Sequence, residues 1–156
     1  MVEHIPTSIV DALIGYPEVG VSDAMIPLLT VDEAGYPHVC LLSRAELDSD
    51  TNHIYAVVAS RVSKSNILRD RRATLIVFTG RVAYYSKLDA ALIKEDGHLL
   101  GVVFTLHSIK EDGDDSFHME APRYLPTDEI ASMEHWARSR SFLRELLTLH
   151  AEEQRG

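Results

Sequence analysis

Residues 57–78, VVASRVSKSNILRDRRATLIVF, pass from an apolar β-rich segment through a loop dense in hydroxyls and cations, enter a short helix, and return at once to a β-rich segment. Ser63 stands where an N-cap is expected for a helix over 63–70, with Ile67 and Leu68 facing inward. A helix N-terminus leaves N–H groups without intrahelical partners and carries the positive end of the dipole, and both favour an anion. Ser60 and Ser63 add short hydroxyl donors, while Arg61 and Lys64 add charge. Such a set can cradle a phosphate through charge-assisted hydrogen bonds. The same residues also suit a capped helix with solvated cations, and the spacing alone does not separate the two readings.

Charge sharpens the contrast around this stretch. Residues 55–81 hold Arg61, Lys64, Arg69, Arg71, Arg72 and Arg81 against the single acid Asp70, a local charge of +5. The whole chain carries −9, so the remainder carries −14. A molecule this acidic repels nucleic acid and anionic membrane on average, and a compact basic island suits a small phosphorylated ligand better than a polymer. An oligonucleotide-binding barrel would need a broad basic groove with interleaved aromatics, and only Tyr55 and Phe78 flank the island.

The rest of the chain bounds the fold. Its 156 residues, 46% hydrophobic and 25% charged, are expected to form one globular domain spanning 1–156. One cysteine, Cys40, excludes an intramolecular disulfide framework and a multi-cysteine metal site. No run of about 18 apolar residues marks a membrane helix. The opening MVEHIPTSIV lacks the basic and apolar regions of a secretion signal, so a cytoplasmic location is the expectation. Residues 7–14 predict a short helix capped by Thr7 or Ser8 and ended by Gly15-Tyr16-Pro17. Residues 25–31 and 36–44 predict strands around an Asp32–Gly35 turn, followed by a polar break at 48–52. Further strands are expected at 53–59, 74–79, 81–93 and 99–109, the last two parted by Lys94–His98. Residues 110–127 read as an acidic loop. Beyond Thr127, apolar Ile130, Met133, Trp136, Ala137, Leu143, Leu146 and Leu147 mark a helical segment over about 128–152, weakened near Ser139 and Ser141. Six strands joined by hairpin-length connections argue for an antiparallel sheet or barrel, mainly β with flanking helices.

Several fragments imitate catalytic motifs without completing them. His118-Met119-Glu120 has the His-x-Glu shape of zinc deaminases but lacks their cysteine pair. Asp112, Asp114 and Asp115 crowd a turn without the spaced oxygens of a calcium loop. The eight histidines offer no pair at i, i+4 spacing. Gly97 and Gly101 make no dinucleotide fingerprint, and no Gly-x-Ser-x-Gly elbow is present. Cys40 reads as a packed, inert thiol. Tyr84, Tyr85 and His107 are the polar strand residues to consider near a substrate, or else they are ordinary half-buried strand positions.

The unit from Ser60 to Arg72, followed by Ala73-Thr74-Leu75-Ile76-Val77-Phe78, resembles the pyridoxamine 5′-phosphate oxidase-like superfamily, the FMN-binding split β-barrels. The preceding hairpin, Leu28–Asp32 to Pro37–Leu42, is similar to that family's opening, and the resemblance spans about residues 8–110. It implies a six-stranded antiparallel split β-barrel that binds FMN at a homodimer interface. By position, Ser63 and Lys64 match the family's phosphate ligands, with Ser60, Arg61 and Asn66 as helpers. His38, Val39, Cys40, Leu41 and Ser43 would line the flavin, and Val57 and Val58 would lie along its ring or ribityl chain. The oxidases themselves carry Arg and Lys where this chain has His38 and Ser43, and their C-terminal Arg-x-His-x-Arg element has no counterpart in 110–156. The expectation is therefore an FMN-dependent oxidoreductase of unknown small-molecule substrate, distinct from pyridoxine 5′-phosphate oxidation. Two readings stand beside it: a non-catalytic module holding flavin, deazaflavin or haem, and an unrelated β-barrel with a protein partner.

Overall fold

The computed structural model describes residues 4–114 and 116–156. Met1, Val2 and Glu3 of the opening segment and Asp115 of the acidic loop lie outside the described residues. Helix α1 spans Thr7–Leu13, with Ile9 and Leu13, four apart, buried on one face. Its N-cap is Pro6 and not Thr7 or Ser8, because the Pro6 carbonyl already accepts the Ile9 and Val10 N–H groups. Strands β1 (Asp23–Ala24), β2 (Ile26–Val31) and β3 (Pro37–Leu42) follow. The β2–β3 hairpin turns on Asp32, whose carboxylate accepts from the Ala34 and Tyr36 N–H groups at 2.9 Å each. Gly35 supplies the positive φ of 87° that this turn requires.

A 3₁₀ turn at Arg44–Glu46 leads into β4 (Leu47–Ser49), which pairs with β5 (His53–Val58). The expected polar break at 48–52 is therefore partly a strand. Leu47 and Ser49 alternate into the interior, and Asp50 makes the turn by accepting from the Asn52 and His53 N–H groups. Helix α2 runs from Arg61 to Asp70, two residues longer than expected. Ser60 is its N-cap, accepting from the Ser63 N–H at 3.3 Å, so Ser63 is the third helical residue and is fully buried. Its buried stripe is Ser63, Asn66 and Ile67, and Leu68 turns outward instead of inward. Arg71, left-handed at φ 56°, ends the helix through its N–H to the Ile67 carbonyl.

Strands β6 (Arg72–Phe78), β7 (Ala83–Asp96) and β8 (Leu99–Asp112) complete the sheet. The charged run 94–98 does not separate β7 and β8 as expected. Pairing continues through Asp96↔Leu99, and only Gly97 and His98 form the turn. The sheet has seven strands in the order β3-β2-β6-β7-β8-β5-β4, one more than expected because β4 joins an edge. A short ribbon pairs β1 with β9 (Arg123–Tyr124), which lies inside the segment expected to be loop. Thr127 caps α3 (Asp128–Met133) as expected, accepting from the Ile130 N–H at 3.1 Å. The chain then breaks at Glu134–His135, not near Ser139, and α4 runs from Trp136 to Arg155. His135 is left-handed there, at φ 52°, which re-phases the helix. One apolar stripe therefore cannot span both helices. α4 buries Trp136, Ser139, Phe142, Leu143, Leu146 and His150, while Met133 and Ala137 are exposed.

Both edges of the sheet feed one core: Leu28 of β2, Leu42 of β3, Leu47 of β4, Ile54 of β5, Leu75 of β6 and Phe104 of β8 share a cluster with Ile9 and Leu13. Strands at opposite edges can meet in one core only if the sheet rolls upon itself, so it forms a half-barrel closed by α1 and α2. The outer face divides in two. Over β5 and β8 it is sealed by α4, where Phe142, Leu143 and Leu146 pack on Tyr55, Val57 and Val103. Over β3, β2 and β6 no helix among the described residues covers it, and Val31, Val39 and Leu41 are each about half exposed.

Candidate functional site

The N-terminus of α2 is held by the chain on either side. β5 delivers Ser60, and the interior anchors the helix through Asn66, whose side-chain amide donates to the Thr30 hydroxyl at 2.9 Å. Arg69 in turn donates to the Asn66 side-chain oxygen and to the Val31 carbonyl, tying the far end of the helix to β2. The Arg61 and Val62 N–H groups precede the first intrahelical bond, on exposed residues at the positive end of the dipole. Ser63 is fully buried, and its Oγ lies beside the Cys40 thiol with no nitrogen or oxygen partner among the described residues. A buried hydroxyl without a partner costs free energy on the order of 1–3 kcal/mol unless something else satisfies it. The Lys64 ammonium donates to the His98 carbonyl at 2.5 Å, so it lies across the β7–β8 turn. Arg61 extends into solvent.

β3 brings its residues to the same end of the molecule. His38 and Cys40 are half-buried on the side facing the core and α2, while Val39 and Leu41 point outward. Burial pushes the Cys40 thiol pKa up, with the neighbouring Ser63 hydroxyl pulling the other way and Glu46 adding to the rise. Ser43 is buried and committed: its N–H and hydroxyl donate to one Glu46 carboxylate oxygen at 3.0 and 2.9 Å. Val57 and Val58 are also fully buried, Val57 beneath α4 and Val58 in the half-barrel interior. Only their backbone is placed to meet anything bound outside the core. Thus Ser60, Arg61, Ser63 and Lys64 gather at one helix end beside Cys40, with Asn66 as the anchor beneath them.

Tyr84, Tyr85 and His107 do not converge. Tyr84 packs toward the core, the Tyr85 hydroxyl donates to Asp112 at 2.7 Å, and His107 lies 3.3 Å from Asp89. Two polar clusters had no signal in the sequence, because each joins residues far apart in the chain. The Glu46 carboxyl is enclosed among Ser43, Tyr124 and Glu134, and burial raises its pKa to about 7. His150 of α4 meets His53 of β5 edge-on, ring centres 4.4 Å apart, and both of its ring nitrogens are buried without hydrogen-bond partners among the described residues. Desolvation first, and His53 second, lower the His150 pKa. Among the described residues no group of three or more His, Cys, Asp or Glu is placed to hold a metal ion, and no helix is long and apolar enough to cross a membrane.

No protein-family model and no curated protein sequence matches the chain. Solved structures do. A candidate pyridoxamine 5′-phosphate oxidase from Lactobacillus delbrueckii superposes with a TM-score of 0.53 at 14% identity, covering 69% of this chain and 93% of that one. HupZ of group A Streptococcus gives a TM-score of 0.52 at 12% identity, covering 69% and 93%. An F420 reductase gives 0.50 at 13% identity, covering 64% and 94%. The rolled antiparallel sheet, the helix inserted between β5 and β6 and these superpositions agree: the chain has the split β-barrel fold of these structures.

Proposed function

We propose that this chain is a homodimeric flavoprotein that binds FMN and acts as an oxidoreductase on a small molecule. The observation that carries the reading is the N-terminus of α2, where Ser60, Arg61 and Lys64 flank N–H groups that have no intrahelical partner, with buried Ser63 packed beneath them. These residues fit a flavin's terminal phosphate. The Arg61 and Val62 N–H groups would donate to its oxygens, Ser63 would support the turn from beneath beside Cys40, and Lys64 would exchange the His98 carbonyl for a charged acceptor. The bound flavin would supply the electron transfer, and the chain's part is to hold, orient and shield it. β3 offers an apolar surface in Val39 and Leu41, on the outer face of the strand whose inner face meets α2.

A second copy of the chain suits the bare outer face. Val31, Val39 and Leu41 expose apolar surface on strands that end in an unpaired edge at β3, a combination that a soluble protein covers. A twofold partner would cover Val39 and Leu41 at the β3 edge with the same surface, leaving the side over β6 and β7 open.

The test is an equilibrium titration with FMN and with riboflavin, followed by quenching of flavin fluorescence. FMN binds the protein more tightly than riboflavin by at least tenfold, and Lys64→Ala removes most of that difference while leaving the unfolding transition in place. Equal affinity for FMN and riboflavin, or an unaltered FMN affinity in Lys64→Ala, would overturn the phosphate assignment.

A further inference from the structure

The bare outer face contains a groove of about 910 Å³ between the C-terminal end of α2 and the middle of the sheet. That is within the size range of roughly 300–1,000 Å³ typical of small-molecule sites. The strand register explains why its residues meet. Leu29 of β2, Thr74 of β6 and Lys87 of β7 lie in one cross-strand row, and Arg72 and Asp89 occupy the next. The β7–β8 bulge beside Lys87 brings His107 onto the same face. One wall is apolar, made by Leu29, Val31 and Pro37.

The charges are unequally committed. Asp70 is held by Arg69 at 3.1 Å, and Asp89 lies between His107 at 3.3 Å and Arg72 at 3.9 Å. Lys87 has no ion-pair or hydrogen-bond partner among the described residues, and Arg72 keeps 82% of its side chain exposed. Three cations, Arg69, Arg72 and Lys87, thus face two carboxylates that are already engaged. The groove carries one positive charge in excess on a molecule of net charge −9.

We propose that this groove binds an organic anion, a ligand with one phosphate, sulfonate or carboxylate group on a flat apolar body, and that this is the substrate class of the enzyme. The anionic group meets Lys87 and Arg72, with His107 and Thr74 as donors, and the apolar body lies along Leu29, Val31 and Pro37. That the ligand is a substrate rests on the flavin reading above; that an organic anion binds here does not.

Phenyl phosphate is the probe, with phenol and inorganic phosphate as its two halves, followed by amide shifts of the isotope-labelled protein. Phenyl phosphate is expected to saturate with shifts centred on Thr74, Lys87 and His107, and each half alone to bind at least tenfold more weakly. Lys87→Glu and Arg72→Glu, both at exposed positions, are each expected to weaken it at least tenfold while FMN affinity holds. Shifts elsewhere, phenol binding as well as phenyl phosphate, or unchanged affinity in both variants would overturn the proposal. Groove shifts in a protein that binds no flavin would remove the substrate role and leave the anion site standing.

Discussion

Glu46 shows how a single residue near the site sets a property of the whole protein. Burial raises the pKa of its carboxyl from 4.5 to about 7; the two Ser43 donors pull the other way, and the like charge of Glu134 adds to the rise. The folded protein therefore keeps a proton that the unfolded chain releases above about pH 4.5. Stability falls as pH rises through the window from about 4.5 to 7, by an amount on the order of 3 kcal/mol, and is level above it. Glu46→Gln keeps an oxygen acceptor for Ser43 and removes the titration. Urea unfolding at pH 5 and pH 8 should show the wild type losing stability between the two and the variant losing less; parallel losses would contradict the assignment. Nothing in the sequence around Arg44-Ala45-Glu46 marks this carboxyl, because its enclosure depends on Tyr124 and Glu134, some 80 residues away in the chain. Ser60 and Ser63 were legible, since cap and first-turn hydroxyls act through local geometry. Even so, the cap proved to be Ser60, and the helix began early enough to bury Ser63.

Among the elements, α4 is the one whose docking depends on an absent side chain. Gly101 of β8 lies under it, and a Cβ at that position would stand 3.1 Å from the Phe142 ring. Gly101 lies between Leu100 and Val102, whose side chains fill the other face, so neither side of the strand can give easily. Gly101→Ala is expected to lower stability by about 1–3 kcal/mol through displaced packing of α4, read as a reduced urea midpoint with an unchanged slope. A midpoint equal to the wild type would mean that α4 does not rest on β8 as described. The strands themselves were legible, because alternation and hairpin turns are local signals, as at Asp32–Gly35. β4 was missed because three residues with two acids and serine nearby look like a turn until Leu47 and Ser49 are seen to point inward. The break before α4 was also misplaced. It rests on the backbone of His135, a residue type with no strong preference to signal it, while Ser139, which looked like a weak point, packs inside an unbroken helix.

At the scale of the molecule, the half-barrel explains the division of labour between its faces. Its interior is filled by both sheet edges with α1 and α2, its outer face is sealed by α4 on one side, and the other side stays open beside the α2 N-terminus and the charged groove. The basic island between residues 55 and 81 was legible as a patch, but the fold splits it. Arg61 and Lys64 serve the start of α2, and Arg69 and Arg72 serve the groove near its end. A helix of ten residues is about 15 Å long, enough to separate two anion sites that sequence presents as one. The central claim is that the open side holds a flavin. The absorption spectrum of the purified protein, with the cofactor released by denaturation and identified, tests it most directly. The account predicts flavin bands, retained or restored by added FMN, at about one FMN per protomer. A protein that is colourless and stays so after incubation with FMN and removal of the excess would contradict it.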